Sequence, residues 1–234
     1  MNSLYALIPA RSGSKRIRNK NMRELGGAPL IYWTVREALR SKAFGRIIVS
    51  TDGQDVKDFV DNLGVEIHDR LPEHATDTSP DVEWIKDCLE KCGEPQYFMI
   101  LRPTSPFRTA QSIVAAWEAF KREEYASSLK SVTRPKESPY KMATIVNNRI
   151  TPLINHPPVN GVQAFNMPTQ SLPEVWSRNP CIEIGESRNV IVRGDVSGYQ
   201  VMPYYMDEIE ALDINTPADW ALAEYYIKEG LVKL

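Results

Sequence analysis

Short apolar runs without polar alternation recur through the first 132 positions, each followed by a stretch with helical spacing. Leu4-Tyr5-Ala6-Leu7-Ile8, Arg46-Ile47-Ile48-Val49-Ser50, Val65-Glu66-Ile67 and Tyr97-Phe98-Met99-Ile100-Leu101 read as strands, the longer ones buried on both faces. Pro29–Arg40, with proline near its start, Asp55–Leu63, closed by Gly64, Asp81–Cys92, ending at Gly93, and Ala110–Glu124 read as helices. Ala126–Val132 reads as a further strand. This alternation predicts βαβ units and an α/β fold, a mostly parallel, Rossmann-like sheet flanked by helices. Ligands of such sheets bind beyond the carboxyl ends of the strands. Chemistry is therefore expected in the loops Pro9–Asn21, Thr51-Asp52, Arg70–Asp81 and Arg102–Arg108.

From Arg134 to Gly198 the alternation stops and prolines crowd in, with only short strand-like pieces at Thr144–Val146 and Cys181–Ile184. Phe165, Trp176 and these apolar pieces predict an ordered excursion, a lid or a subunit-contact arm over 134–198, from one domain spanning 1–234. Tyr199–Pro203 returns as a strand. Thr216–Lys228 closes the chain as a helix, with Thr216 as cap, Pro217 first, Asp219 three residues after the cap and Gly230 at the end.

Composition narrows the class. A net charge of −2 excludes a broad basic surface, so no nucleic-acid partner is expected. No apolar run is long enough for a bilayer, so no membrane is expected either. Leu4–Ala10 is too short for a signal peptide and lacks preceding basic residues. Three cysteines, Cys88, Cys92 and Cys181, fit a reducing compartment. The chain reads as soluble and cytoplasmic.

The distribution of charge says more than its total. Arg11, Lys15, Arg16, Arg18, Lys20 and Arg23 all precede the first acidic residue, Glu24. In the loop Pro9-Ala10-Arg11-Ser12-Gly13-Ser14-Lys15, small residues allow a tight turn that aims N–H groups at one point, and Arg11 and Lys15 supply charge for a polyphosphate. The loop is neither a P-loop nor a dinucleotide fingerprint, since the first pattern is absent and only one glycine is present. A turn carrying surface cations is the plain alternative.

Leu7–Lys15 followed by Lys20-Asn21 resembles the N-terminal signature of the acylneuraminate cytidylyltransferases. Val49-Ser50-Thr51-Asp52, Ala75-Thr76-Asp77-Thr78, Pro103-Thr104-Ser105-Pro106 with Arg108, Gln170 with Leu172-Pro173, and Leu212-Asp213-Ile214 follow in the family's order. The resemblance implies a nucleotidyltransferase-type fold with a dimerisation arm, a homodimer, and attack of the 2-hydroxyl of a nonulosonic acid on the α-phosphate of CTP. It implies that Ala10, Arg11, Ser12, Gly13, Ser14, Lys15, Lys20, Asn21, Arg70 and Asp77 meet the nucleotide, with Arg11, Lys15 and Asp213 carrying catalysis. It further implies sugar contacts from Arg102, Thr104, Ser105, Lys141 and Gln170, and Mg²⁺ held by Asp213 with Asn215 beside it. Magnesium prefers one or two carboxylates with phosphate oxygens and water.

Departures from the family pattern bear on the sugar. Arg102 replaces a common glutamine, either to pair with a sugar carboxylate or acyl oxygen or to fill an ion pair at the sheet edge. Pro80-Asp81 replaces paired serines, Asn215 replaces the second aspartate, and Thr169 stands where an arginine sometimes precedes Gln170. Legionaminate-like, pseudaminate-like and deaminated sugars therefore stay open. So do a 3-deoxy-manno-octulosonate acceptor, GTP as donor, and a nucleotide-binding protein without catalysis. No side chain stands out as a general base. Cys88 and Cys92 read as helix packing rather than a metal pair. No Ser-His-acid triad can be argued from sequence order.

Overall fold

The computed structural model describes residues 4–158 and 161–234. Strand β1 (Leu4–Pro9) runs through the middle of a seven-stranded sheet. A two-residue pair follows, β2 (Glu24–Leu25) and β3 (Ala28–Pro29), and leads into α1 (Leu30–Ser41). Then come β4 (Arg46–Thr51), α2 (Gln54–Asp61), β5 (Glu66–Asp69), α3 (Asp81–Cys92), β6 (Tyr97–Ile100), α4 (Ala110–Arg122) and β7 (Ser128–Thr133). The hairpin β8 (Ala143–Val146) and β9 (Arg149–Pro152) forms a two-stranded sheet of its own. The long β10 (Ser177–Glu186), α5 (Ser187–Arg193), β11 (Val201–Tyr205) and α6 (Pro217–Lys228) complete the chain.

The sheet order is β11-β7-β10-β6-β1-β4-β5. β6, β1, β4 and β5 are mutually parallel, while β10 lies antiparallel on β6 with Glu183 opposite Ile100. The four parallel strands send their carboxyl ends to one edge. The chain steps outward from β1 through β4 to β5 and then returns to β6 on the other side of β1. That reversal opens a crevice between the loops after β1 and β6, the usual ligand position in such a sheet.

Both faces are covered, which is why the central strands lack polar alternation. Ala6 and Ile8 pack with Ile31, Val35 and Ala38 of α1, Val60 of α2, and Ile113 and Phe120 of α4. Leu7, Ile48 and Ile100 pack on the opposite face with Trp84, Ile85 and Cys88 of α3 and Val190 of α5. Cys88 is thus a core residue, as expected from the sequence. A third cluster joins Ile17 of the basic loop, Ile214 and Trp220. It fixes the N-terminal loop and the segment before α6 against each other.

One unit ends at Ser131 and resumes from Asn179, and Val132–Arg178 forms the other. The excursion is therefore shorter than the 134–198 expected. Residues 179–198 join the sheet unit through β10 and α5, a helix the sequence pattern does not announce because Pro180 and the short apolar run suggested irregular chain. In the second unit the hairpin exposes Ile145 and Ile150, 78% and 75% accessible. Val159 and Asn160, within the expected arm, lie outside the described residues. No described helix is long and apolar enough to cross a membrane.

Candidate active site

The loop after β1 is held at both ends. Ala10 N donates to Ser50 O at 2.9 Å, and Thr51 Oγ1 donates to Ala10 O at 2.7 Å. One turn further, Asp52 accepts from Ser12 N at 2.7 Å and Ser12 Oγ at 2.5 Å. Burial opposes the charge on Asp52, but these two hydrogen bonds hold its carboxyl below the usual range. Asn21 Nδ2 donates to Arg11 O at 3.1 Å. Gly13 sits at φ +57°, a left-handed conformation that favours glycine. The Ser-Thr-Asp segment after β4 therefore works as the clamp that shapes the basic loop.

Around that loop the structure gathers the side chains expected to meet a nucleotide. Arg11, Ser14, Lys15, Lys20, Asn21, Arg70 and Asp77 line one cleft with Arg102, Thr104 and Asn215. Arg16, Trp84 and Asp81, absent from the expected set, line it too. Six cations thus face two carboxylates across one concave surface. Ala10 is buried beneath the loop, and Ser12 faces Asp52, so these two shape the loop. Gly13 likewise sets the turn.

The cations are internally neutralised in specific ways. Arg11 Nη1 donates to Ala75 O at 2.9 Å and its Nη2 pairs with Asp77 Oδ1 at 2.6 Å. Lys15 Nζ pairs with the other oxygen of Asp77 at 2.5 Å. Hydrogen bonds from Lys15 and Arg11 pull the Asp77 carboxyl down to about 2. Lys20 Nζ donates to Ile214 O at 2.9 Å, and burial lowers its pKa, opposed in part by Asp213. Arg70 lies over the ring of Trp84, 4.5 Å from its centroid, and its Nη2 is buried without a protein partner. Burial pushes Arg70 down to about 10, still charged at neutral pH.

Arg102 takes the second of the two roles open to it in sequence. Its Nη2 pairs with Asp81 Oδ2 at 2.5 Å and Glu183 Oε1 at 2.9 Å, and Lys130 Nζ reaches Glu183 Oε2 at 2.7 Å. Burial opposes the charges on Asp81 and Glu183, yet Arg102 holds both carboxyls below their usual ranges. With two carboxylates on its guanidinium, Arg102 is a wall of the cleft rather than a free anion receptor. Ser105, expected beside the sugar, is completely buried and is not among the residues that line the cleft. Pro103 and Thr104 are the members of that loop which line the cleft. Arg108, fully buried, staples the loop by donating to Cys181 O at 2.7 Å and Thr34 Oγ1 at 2.9 Å.

Asp213 and Asn215 reach the same edge because Ile214 N donates to Thr104 O at 2.8 Å. A capping box on α6 then fixes the backbone: Thr216 Oγ1 accepts from Asp219 N, while Asp219 Oδ2 accepts from Thr216 N and Asn215 N. Asn215 Nδ2 donates to Asp213 Oδ2, and Asp213 Oδ1 is buried without a protein partner. Among the described residues no three His, Cys, Asp or Glu side chains cluster as a metal site. Lys141 and Gln170 belong to the second unit, on the 3-10 turns Pro139–Lys141 and Thr169–Ser171, and both are exposed. There Gln170 borders a hollow with Arg134, Ser138 and Pro173.

A Ser-His-Asp alignment does exist, contrary to the reading of sequence order. Ser50, His68 and Asp87 are consecutive in hydrogen bonding, although 18 and 19 residues apart. Only the parallel pairing of β4 with β5, which sets Ser50 beside His68, makes it visible.

Residues 5–149 match the cytidylyltransferase family. An N-acylneuraminate cytidylyltransferase of Escherichia coli is 31% identical over 94% of this chain and 51% of its own length. A CMP-N,N'-diacetyllegionaminic acid synthase of Legionella pneumophila is 32% identical over 94% of each chain. The chain thus spans about half of the first relative and nearly all of the second. Among solved structures, a CMP:2-keto-3-deoxy-manno-octonic acid synthetase complexed with CTP matches with a TM-score of 0.70 over 97% of this chain and 99% of that one, at 11% identity. A 4-diphosphocytidyl-2C-methyl-D-erythritol synthase of Anaerococcus prevotii matches at 0.65 over 96% and 98%, at 13% identity. At such identities the likeness is one of fold.

Proposed function

The chain belongs to the cytidylyltransferase family, and from that premise we propose that it transfers CMP from CTP to the anomeric 2-hydroxyl of a nonulosonic acid, releasing pyrophosphate. The observation that carries this reading is the cleft at the β1/β6 crevice, where Arg11, Lys15, Arg16, Lys20, Arg70 and Arg102 converge on space bordered by Asn215. A surface so rich in cations fits a triphosphate better than a neutral ligand.

In this reading Arg11 and Lys15 release Asp77 and take the phosphates, so that charge growing on the departing pyrophosphate is neutralised by preorganised groups. The sugar 2-hydroxyl oxygen forms a bond to the α-phosphorus as the bond from phosphorus to the α,β-bridging oxygen breaks, with pyrophosphate leaving and the hydroxyl proton passing to solvent. Catalysis is then positioning and charge neutralisation, with Arg70 and Trp84 bounding the nucleotide and Thr104 and Asp81 facing the sugar.

Mg²⁺ fits Asp213 and Asn215. Asp213 Oδ1 is a buried carboxylate oxygen with no protein donor, and the Asn215 amide, having given its N–H to Asp213, leaves its carbonyl oxygen free to coordinate. Hard oxygen donors of this kind, with one carboxylate, suit magnesium completed by phosphate and water. When bound, the ion supplies neutralising charge to the phosphates.

The sugar class rests on the relatives, which act on N-acylneuraminate in one case and N,N'-diacetyllegionaminate in the other. A homodimer in a reducing, cytoplasmic setting completes the proposal. Exposed Ile145, Ile150 and Leu153 of the hairpin unit support the contact. Purified protein offered each of the four nucleoside triphosphates with a panel of nonulosonic and octulosonic acids tests this. Pyrophosphate release with CTP and a nonulosonic acid is expected; release only with another pair, or with none, overturns it.

A further inference from the structure

Behind the cleft lie three polar side chains that are not part of its lining. Ser50 Oγ is 2.9 Å from His68 Nδ1, and His68 Nε2 is 2.8 Å from Asp87 Oδ2. The order is that of a hydrolase triad, but Ser50 is 0% exposed, so no substrate carbonyl can reach its oxygen. What reaches it is Arg70, whose Nε donates to Ser50 Oγ at 3.0 Å.

Counting protons fixes the direction of the chain. Arg70 can only donate, and a serine hydroxyl has one proton to give. Of the two side chains on Ser50 Oγ, only His68 Nδ1 can accept it. The ring is then neutral, with its proton on Nε2 and donated to Asp87. A second proton on the ring would make Nδ1 a donor and leave the buried hydroxyl proton without an acceptor. Burial acts in the same sense, holding His68 below its ordinary pKa against the pull of Asp87.

We propose that Asp87, His68 and Ser50 form a positioning relay that locks Arg70 Nε, so that the guanidinium is held over Trp84 in the wall of the cleft that takes the nucleotide. His68 and Ser50 are positioning residues in this arrangement, and the proposal rests on reading the cleft as a nucleotide site. The guanidinium is held from its two sides, by the indole face and by a hydroxyl whose own orientation is fixed by the histidine. Removing any link frees a long side chain to sample rotamers that do not face the nucleotide.

Substituting His68→Phe or Ser50→Ala is expected to raise the KM for CTP about tenfold, the scale of one hydrogen bond to a charged group, with kcat changed less than about twofold. His68→Gln, which can accept from Ser50 and donate to Asp87, is expected to restore the KM. The double variant Ser50→Ala/His68→Phe should be no worse than Ser50→Ala alone, because both break one relay. Unchanged KM in both single variants, equal losses in kcat and KM without rescue by Gln, or additive losses in the double variant would each overturn the relay. A readout independent of turnover is the ¹⁵N spectrum of the ligand-free protein. The His68 ring should show the Nε2–H tautomer and the Arg70 Nε–H should be slow to exchange. An Nδ1–H ring or a freely exchanging Nε–H defeats the relay even if the protein turns over CTP. If the relay signatures hold but CTP is not used, it is the assignment of function that fails.

Discussion

Asp77 Oδ1 stands 2.6 Å from Arg11 Nη2, and its second oxygen stands 2.5 Å from Lys15 Nζ. One carboxylate thus occupies two of the cations that the loop after β1 offers to a polyphosphate. A ligand bearing more negative charge must displace it, and the pair is exposed enough for that exchange to cost little.

Replacing Asp77 with Asn should therefore tighten CTP binding at low salt, by about threefold on the scale of exposed ion pairs. The gain should shrink as ionic strength rises, because these charges are screened. Titration calorimetry at two salt concentrations checks it. Weaker binding in the variant would mean that Asp77 contacts the nucleotide itself.

The single carboxylate at Asp213 makes a prediction about metal demand. Asp213→Ala should lower turnover by about 100-fold or more, as loss of a preorganised charge-stabilising group does elsewhere. Asn215→Asp should lower the Mg²⁺ concentration needed for half-maximal rate, since two carboxylates bind a divalent ion better than one. Without metal the same variant places two carboxylates in contact and should melt at a lower temperature than the parent. A magnesium titration of activity, with melting curves at each end, reads both effects.

Arg102 bridges the half-exposed Asp81 and the buried Glu183, and removing it strands charge on Glu183. Arg102→Ala should destabilise the fold by about 3 kcal/mol, as breaking a buried ion pair does. Lys130 still faces Glu183, so adding Glu183→Gln to that variant strands the buried Lys130 ammonium and should cost further stability. Denaturant unfolding of the single and double variants tests this; a loss under about 1 kcal/mol for Arg102→Ala contradicts the cluster.

His68 gives a pH dependence whose sign can be worked out. Its folded pKa lies below the ordinary value of about 6.5, so the unfolded chain binds the proton more readily. The stability associated with the neutral ring is complete above that ordinary value and is lost as pH falls through it toward the lowered folded value. Asp87 raises the affinity of the ring for a proton, whereas Lys91 and Arg70, which also face it, lower it. Unfolding free energy should therefore fall between pH 7 and pH 5 in the parent and fall less in His68→Gln. Parallel slopes would show that the ring does not resist protonation.

Much of the fold was legible in the apolar runs because a strand covered on both faces cannot alternate. Asp81–Cys92 was read with both ends correct, and the Thr216 capping box was visible as residue types at fixed offsets. The excursion was read too long because β10 is prolonged by polar residues and Pro180, which do not advertise a strand. Within the cleft, the basic loop was legible from its charge and small residues. The fate of Arg102 and Ser105 was not, since each depends on which way a side chain turns from a loop closed by distant Glu183 and Arg108. Asp52 was seen only as part of a motif, and its clamp on Ser12 needs the pairing of β1 with β4. The Ser50-His68-Asp87 chain was not legible because its members lie on neighbouring elements rather than at any recognisable spacing.

The most direct test is pyrophosphate release by the parent protein and by Arg11→Ala/Lys15→Ala, supplied with CTP, Mg²⁺ and N-acetylneuraminate or N,N'-diacetyllegionaminate. The parent should release pyrophosphate with at least one of these sugars and form its CMP conjugate, and the double variant should lose about 100-fold or more in kcat/KM. CTP bound without any turnover by the parent, or turnover indifferent to loss of both cations, would contradict the account.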